Sequence, residues 1–412
     1  MPSSADLRSA IDAGITAADP ATVIETRLSV DGSRLLLDEQ VLWDGDGRLY
    51  VIGAGKAAGR MATATAAVCG SRITEGVVIG PEAMQAGPIR LLEGTHPIPS
   101  AQTVRATRTL RGLCAAAGPD DHVLCLLSGG ASSYLTEPAE PLSLSDLQAT
   151  TEALLAAGLP IGEVNTVRRH CSAVKGGLLA QQCAPASVTT LAVSDVVGDH
   201  PPAIGSGPTV GDPTTYTDAS DTLEGAAAAV PPAVRAHLRA GAAGDLPETP
   251  AVVDDASFHI LAGGQTAVDA AAAHLQAMGW ATTVGPADLA GGATTVAQRL
   301  LDLVTDPPLA VVAGGEATVQ HDGTGRGGPT QEVALRVADQ LESGWVAAVD
   351  TDGADGSTDV AGALVPAGPL DATLHDALAA HDVYGPLADR GWHIHTGPTG
   401  TNVNDLYILT VS

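Results

Sequence analysis

Along most of the chain, short apolar runs of strand length alternate with segments of helical periodicity. The runs lie at 49–52, 76–80, 121–127, 188–193, 309–313 and 346–349. Most of them end in a turn rich in Gly, Ser or Asp, and helical patterns cover 101–117, 145–159 and 331–338. Repeated strand–loop–helix order predicts an α/β protein whose strand ends carry polar loops.

The pattern also predicts a division of the chain. Residues 5–42 begin with helical spacing (Leu7, Ile11, Ile15) and become irregular near Asp31. Residues 227–255 are rich in Ala and Pro and show little strand pattern, so we place a domain boundary near 250. Residues 1–250 and 251–412 are then expected to form two α/β/α domains, the first Rossmann-like, with an active-site cleft between them at the carboxyl ends of the strands.

The first apolar run leads into a glycine turn that contains a lysine. Gly53 and Gly55 follow the strand, Lys56 follows them, and a helical pattern begins at once. The 20 basic residues include only two lysines, so the other 18 are arginines. A lysine kept at a strand–turn–helix junction favours an anion site over a plain turn, because its compact ammonium suits a phosphate oxygen or a small carboxylate.

Other polar positions extend this candidate site. The run after 121–127 offers small residues through which a backbone can approach phosphates, although Gly and Ser also form ordinary turns: Ser128, Gly129, Gly130, Ser132 and Ser133. His96 lies in a Thr-His-Pro loop, where a ligand contact and a turn contact are equally compatible with the sequence. Lys175 follows an Arg-Arg pair, and its ammonium could bind a ligand or form salt bridges with acidic neighbours.

Carboxylates follow several of the later strands. Asp195 is the leading candidate for holding a divalent metal or accepting a hydroxyl proton. Asp352 and Asp355 lie in an acid-rich loop after 346–349 that could bind Mg²⁺ or simply form turns. Further candidate binding residues are Gly314, Gly315, Glu316, Arg326 of the glycine-rich loop 322–330, and Asn404.

Composition narrows the class of protein. There are 47 acidic and 20 basic residues, a net charge of −27, which disfavours a nucleic-acid partner. Spread acidity with almost no lysine resembles adaptation to molar salt, although an acidic mesophilic enzyme is the alternative. The five cysteines lack CxxC spacing and predict reduced thiols in a cytoplasm. Neither a signal peptide nor a membrane span is visible, so we expect no membrane partner.

The motifs together resemble the class II glycerate kinases, which have an N-terminal glycerate kinase domain and a C-terminal MOFRL domain. The resemblance rests on GAGKAA, GTHPIP, SGGASS, NTVRRH, SDVVGD with SGPTVGDP, GGEATV with GRGGPTQE, TDGADGSTDVAGA and TGPTGTNVNDL. It implies ATP-dependent phosphorylation of D-glycerate with Mg²⁺, usually yielding 2-phosphoglycerate. The family's catalytic lysine falls on Lys56. Pro329 stands where members commonly have an arginine.

Phosphoryl transfer requires cations on the transferring oxygens and a positive partner for the glycerate carboxylate. We therefore expect Lys56 and Arg326 to neutralise these anions. Asp195 would orient the attacking hydroxyl or hold Mg²⁺, with Asp352 or Asp355 assisting. The alternatives are an NAD(P)H-dependent hydroxypyruvate reductase and a non-catalytic sugar-acid sensor. The product isomer, nucleotide preference, salt optimum and choice between monomer and homodimer stay open.

Overall fold

A computed structural model describes residues 3–226, 228–305, 309–320 and 323–411. Asp322, with which the predicted glycine-rich loop begins, lies outside these residues. The helices are Ser4–Ala17 (α1), Pro20–Arg27 (α2), Ala58–Cys69 (α3), Ala101–Ala116 (α4), Ala131–Tyr134 (α5), Leu144–Ala156 (α6), Ile161–His170 (α7), Leu178–Cys183 (α8), Tyr216–Gly225 (α9), Pro232–Ala242 (α10), Gly264–Ala277 (α11), Ala293–Asp302 (α12), Pro329–Ala338 (α13), Ala372–Ala379 (α14) and Tyr384–Asp389 (α15).

The strands are Leu28–Asp31 (β1), Arg34–Leu37 (β2), Gln40–Asp44 (β3), Leu49–Ala54 (β4), Ile73–Gly80 (β5), Met84–Ala86 (β6), Ile89–Glu93 (β7), His122–Leu127 (β8), Ser187–Val193 (β9), Ala256–Ala262 (β10), Thr282–Val284 (β11), Leu289–Gly292 (β12), Leu309–Thr318 (β13), Gly344–Asp350 (β14), Gly362–Pro366 (β15), His393–Ile394 (β16) and Asp405–Val411 (β17). The predicted α/β class is confirmed.

The chain forms two compact units, and neither is a continuous segment. The terminal unit comprises Met1–Thr22, Val193–Gly198 and Ala262–Ser412, and the central unit comprises Val23–Ala192 and Asp199–Leu261. This division differs from the predicted one at residue 250, which assigned the N-terminal helix to the first domain. The reason is packing, because Leu7 and Ile11 of α1 share a buried core with Val268 and Leu275 of α11.

The central unit contains a seven-stranded sheet of order β10-β9-β8-β4-β5-β7-β6, in which β9, β8, β4, β5 and β7 run parallel. The chain moves outward from β4 to β5, then returns through α4 to β8 on the other side of β4. The strand order therefore reverses between β4 and β8, and such a switch point is where open parallel sheets bind ligands. Both strands are buried throughout, which explains their continuous apolar sequences.

Residues 28–44 do not form the irregular segment that was predicted. They form a separate antiparallel sheet of order β1-β2-β3. Alternation in Arg34–Leu37 buries Leu35 and Leu37 on one face, but a four-residue strand is too short for that alternation to be distinctive in sequence.

The terminal unit is an α/β/α sandwich around a mixed sheet of order β11-β13-β17-β14-β15-β16, with β12 paired to β13. Residues alternate between two cores along the central strand β17. Tyr407 and Leu409 pack with α12, α13 and α14, whereas Leu406 and Ile408 pack with α1 and α11. Helices therefore cover both faces of this sheet, as predicted. Across the described residues, no helix combines the length and apolar character needed to cross a bilayer.

Candidate active site

The switch point of the central unit holds two loops in close contact, one after β4 and one after β8. The backbone N–H of Lys56 donates to the carbonyl oxygen of Gly129 at 2.8 Å, and that of Ala57 donates to Oγ of Ser128 at 3.1 Å. A Cβ on Gly55, whose φ is 141°, would collide with Oγ of Ser128. The glycine in the predicted turn is therefore required by the approach of the second loop.

Lys56 and His96 flank Gly130 at this edge of the sheet. A Cβ added to Gly130 would lie 2.8 Å from the His96 ring and 3.4 Å from Cγ of Lys56. The imidazole stacks on Tyr134, with ring centroids 5.7 Å apart. Partial burial and the positive charge of Lys56 both lower the pKa of His96, so neutral imidazole is favoured there. The structure thus brings together Lys56, His96 and the 128–130 loop, which lie far apart in sequence.

The rest of the 128–133 loop is tied into the central unit by its serines. Gly130 has φ of 79° and precedes the short helix α5. Ser132 Oγ lies 2.8 Å from Oγ of Ser206, whose hydroxyl donates to Oδ1 of Asn165 at 3.1 Å. Ser133 Oγ donates to the carbonyl oxygen of Pro97 at 2.7 Å. These contacts fix the loop through groups that local sequence cannot identify as partners.

Within the part of the chain that the structure describes, Lys175 is held by backbone carbonyl oxygens and not by acidic neighbours, which were one of the two predicted alternatives. Its side chain is buried, and Nζ donates to the carbonyl oxygens of Ser132 at 2.7 Å and Leu135 at 3.0 Å. Burial, and then the charge of Arg168, hold its pKa well below the ordinary value for lysine. Arg169, the other arginine of the predicted basic pair, forms a buried ion pair with Asp212 at 3.0 Å.

In the terminal unit, Asp195 and Glu316 form a pair of neighbouring carboxylates. Asp195 is the second residue after β9, and Glu316 lies on β13 opposite Ala290 of β12. Partial burial and the negative charge of Asp195 raise the pKa of Glu316. Gly315 before it has φ of 157°, and a side chain there would overlap the backbone of Leu289. Gly314 and Gly315 thus allow the strands to pack closely around an acidic edge.

The predicted role of Asp355 as a metal ligand does not agree with its contacts. Its carboxylate is buried and accepts hydrogen bonds from the backbone N–H groups of Thr330 and Gln331 at 3.1 and 3.0 Å, and from Nε2 of Gln331 at 2.9 Å. It therefore caps the start of α13. Asp352 is half-buried and accepts from the N–H of Ala354 at 2.9 Å. Among the described residues, no group of three or more His, Cys, Asp or Glu side chains could hold a metal ion.

A buried acidic pair that the sequence reasoning missed lies beside Asp352. Asp350 of β14 is directly opposite Asp405 of β17 in the strand register. Burial and the charge of Asp352 raise the pKa of Asp350 to about 7, and burial with the charge of Asp350 raises that of Asp405. Asp405 also accepts from the hydroxyl of Tyr407 at 2.6 Å. Asn404 acts here through its backbone. It adopts a left-handed conformation (φ 66°), and its carbonyl oxygen accepts a hydrogen bond from Thr351 Oγ1 at 2.7 Å.

Arg326 is exposed in the terminal unit and already has partners. Its Nη2 donates to Oδ1 of Asp359 at 2.9 Å, and its guanidinium lies 3.6 Å from the centroid of the Tyr384 ring. The hydroxyl of Tyr384 donates to the same Asp359 oxygen at 2.7 Å. Asp359, which belongs to the acid-rich loop after 346–349, is thus the shared partner of Arg326 and Tyr384.

Comparison with known proteins identifies the family. Residues 6–239 match the family described as a domain of unknown function (DUF4147), and residues 309–405 match the MOFRL family. The glycerate 2-kinase of Pyrococcus horikoshii is 36% identical over 427 residues, which cover 97% of this chain and 95% of that protein. The chain belongs to the class II glycerate 2-kinase family. An Agrobacterium vitis protein provisionally named hydroxypyruvate reductase is 37% identical, covering 98% of this chain and 94% of its own length.

The fold of this class II glycerate kinase chain also matches a solved structure over its whole length. The crystal structure of glycerate kinase from Thermotoga maritima superposes with a TM-score of 0.84 at 31% identity, covering 99% of both chains. The departure at Pro329 has a simple structural explanation in this family member. Pro329 is the first residue of α13. The backbone N–H that proline lacks would have no acceptor within the helix at this position.

Proposed function

We propose that this chain transfers the γ-phosphoryl group of ATP to a hydroxyl group of D-glycerate, forming 2-phosphoglycerate and ADP. The observation that carries the proposal is the exposed ammonium of Lys56 at the β4–β8 switch point, beside Gly130 and His96. Family membership supports it, because relatives of this chain are named glycerate kinases.

In the proposed reaction, a bond forms between the glycerate hydroxyl oxygen and the γ-phosphorus while the bond to the β–γ bridging oxygen breaks. The hydroxyl proton passes to a carboxylate, for which we propose Asp195. Lys56 would stabilise negative charge on the transferring phosphoryl group or on the substrate carboxylate. Arg326 would add a second cation after exchanging Asp359 for a substrate oxygen. That exchange is inexpensive, since an exposed ion pair is worth about 0–1 kcal/mol.

The carboxylates of the terminal unit fit Mg²⁺ by their chemistry. Asp195 and Glu316 are close enough for one charge to raise the pKa of the other, and a cation between them would relieve that repulsion. Mg²⁺ usually keeps several waters and needs only one or two protein carboxylates besides the phosphates. As the alternative to accepting the hydroxyl proton, we therefore propose that Asp195 binds Mg²⁺, with Asp352 assisting. When bound, the ion would neutralise phosphate charge.

The hydroxypyruvate reductase alternative is less well supported by the β4–β5 geometry. A dinucleotide site places an acidic residue near the end of the second strand to bind the ribose. Glu75, the residue at approximately the expected distance in sequence, lies in the first half of β5 and pairs with Arg90 at 3.4 Å.

The deciding experiment incubates the full chain with ATP, Mg²⁺ and D-glycerate in KCl, and follows the product by phosphorus NMR. A 2-phosphoglycerate resonance supports the proposal, and a 3-phosphoglycerate resonance corrects the position of transfer. A parallel reaction with NADH and hydroxypyruvate, without ATP, tests the alternative. Oxidation of NADH with no phosphoglycerate in the first reaction would refute the kinase.

The cysteines support a reducing compartment such as the cytoplasm. All five are buried free thiols: Cys69, Cys114, Cys125, Cys171 and Cys183. Burial raises the pKa of the Cys69 and Cys171 thiols to about 12, which keeps them protonated and unreactive.

A further inference from the structure

A second feature of the central unit is a cleft of about 560 Å³ beside the switch-point site. Its walls are mainly apolar and include Ile98, Leu147 and Leu155. Ile98 is 67% exposed and Leu155 is 56% exposed. Large aliphatic side chains left open to solvent in a cleft indicate that something apolar covers them.

One end of this cleft carries two cations that lack acidic partners. Arg168 and Lys175 both line it, and within the described chain neither forms an ion pair with a carboxylate. To the residues that the structure describes, Arg168 makes two long hydrogen bonds, both of 3.3 Å, to Oδ1 of Asn165 and the carbonyl oxygen of Ser132. In a chain of net charge −27, an unpaired guanidinium beside a buried ammonium points to an anionic ligand.

The pKa values agree with a missing counter-charge. Burial lowers the pKa of Arg168 to about 10, and burial together with Arg168 lowers that of Lys175 further below its usual value. A bound anion would offset this desolvation.

The cleft adjoins the switch-point site through two short segments. Ser132, whose carbonyl oxygen accepts from both Lys175 and Arg168, belongs to the loop that contains Gly130. Pro97 lines the cleft and follows directly on His96, which flanks Gly130. A ligand with an apolar body and an extended anionic tail could therefore occupy the cleft and reach toward Lys56.

We propose that this cleft binds the phosphoryl donor, with the purine between Ile98 and Leu155 and the inner phosphates on Arg168 and Lys175. The inference rests on the proposed kinase function and names the place of one substrate. The volume of the cleft lies in the range of roughly 300–1,000 Å³ that is typical of sites for organic ligands, and it is far larger than glycerate needs. Glycerate also has no apolar surface to match these walls. Glu152, which lines the cleft, would accept hydrogen bonds from the ribose hydroxyls.

The test measures ADP binding to the full chain by calorimetry, without glycerate, for two cleft variants and two matched controls. Leu155→Glu places a charge on the purine wall, and Arg168→Gln removes a phosphate contact. We expect each to raise the Kd for ADP about tenfold to a hundredfold, the scale of a lost charge-assisted contact. Val252→Glu, at an apolar residue that is 75% exposed, and Arg105→Gln, at an exposed arginine, should leave it within twofold.

A second measurement uses the unaltered chain, so that folding of a variant is not at issue. Hydrogen exchange with and without ADP should show slower exchange in α6 and in residues 97–99 when ADP is bound. Unchanged exchange there, with saturating ADP, overturns the proposal. It is equally overturned if the cleft variants raise the KM for D-glycerate and leave the Kd for ADP unchanged.

Failure of this inference and failure of the proposed function are distinguishable. If the chain phosphorylates glycerate while both cleft variants bind ADP like the parent, the nucleotide binds elsewhere and the kinase assignment stands. If the parent neither binds ADP nor phosphorylates glycerate, the proposed function itself is wrong.

Discussion

Replacing Lys56 by alanine is the most direct test of the proposed chemistry. The side chain is exposed, and its backbone N–H bond to Gly129 is available to any residue at this position. Among the described residues, the ammonium has no carboxylate partner in an ion pair. Lys56→Ala should therefore change the free energy of unfolding by no more than about 0.5 kcal/mol. Any large loss of activity would then reflect catalysis or binding.

The magnitude follows from Coulomb's law. Two unit charges 4 Å apart interact with about 1 kcal/mol in bulk water and about 4 kcal/mol at an effective dielectric constant of 20. Because Lys56 is exposed in the free protein, the interaction energy there is near the lower value. Bound substrates exclude water and so raise the interaction energy toward the upper value. Losses of about 2.7–4 kcal/mol correspond to about 10²–10³ in kcat, the range for removal of one preorganised donor.

The assay measures kcat with ATP and D-glycerate at saturation for the parent, Lys56→Ala and Lys56→Arg. Arginine keeps the charge but not the compact geometry, so we expect partial activity. Arg34→Ala, which removes an exposed pair with Asp44, is the matched loss of one cation and should change kcat less than twofold. A Lys56→Ala enzyme within threefold of the parent would exclude the ammonium from the mechanism.

Three further predictions concern stability. Asp212→Asn should lower the free energy of unfolding in urea by about 3–5 kcal/mol, because it leaves Arg169 buried without its charge partner. Asp350 has its pKa raised to about 7, so its contribution to stability is complete below about pH 4 and is lost as the pH rises through 7. In the parent protein this loss lowers the unfolding free energy by about 4 kcal/mol between pH 4 and 7, since the pKa is raised by about three pH units. Asp350→Asn should remove most of that decrease. Raising KCl from 0.1 to 1 M should raise the Tm, because the screening length falls from about 10 to about 3 Å around a net charge of −27.

Each of these has an outcome that contradicts it. If Arg169→Met fails to recover part of the stability lost in Asp212→Asn, the cost does not come from an isolated charge. Parallel pH curves for the parent and Asp350→Asn would show that Asp350 does not titrate in that window. A Tm that falls in KCl would mean that self-repulsion is not what limits stability.

Much of the seven-stranded sheet of the central unit could be predicted from sequence, because its central strands are buried on both faces. The run 121–127 became β8 and the run 188–193 became β9, each within one residue. The helix predicted at 101–117 is α4, which ends one residue earlier. Continuous apolar runs between turn residues are a local signal, and these elements need no other information.

The site was predictable only where a local motif also carried the chemistry. Lys56 and the 128–130 loop follow adjacent strands, so their meeting follows from topology. Asp355 could not be assigned, because an aspartate that caps a helix and one that binds a metal look alike in sequence. The Asp350–Asp405 pair was missed because it depends on strand register, which no local pattern reports.

The position of α1 has a consequence for biosynthesis. The helix is made first, yet Leu7 and Ile11 pack against α11, which leaves the ribosome on the order of tens of seconds later. Until then its apolar face lacks this partner. A polypeptide starting after Thr22 would lack α1 and would leave the apolar surface that this helix covers on α11 exposed and prone to aggregate.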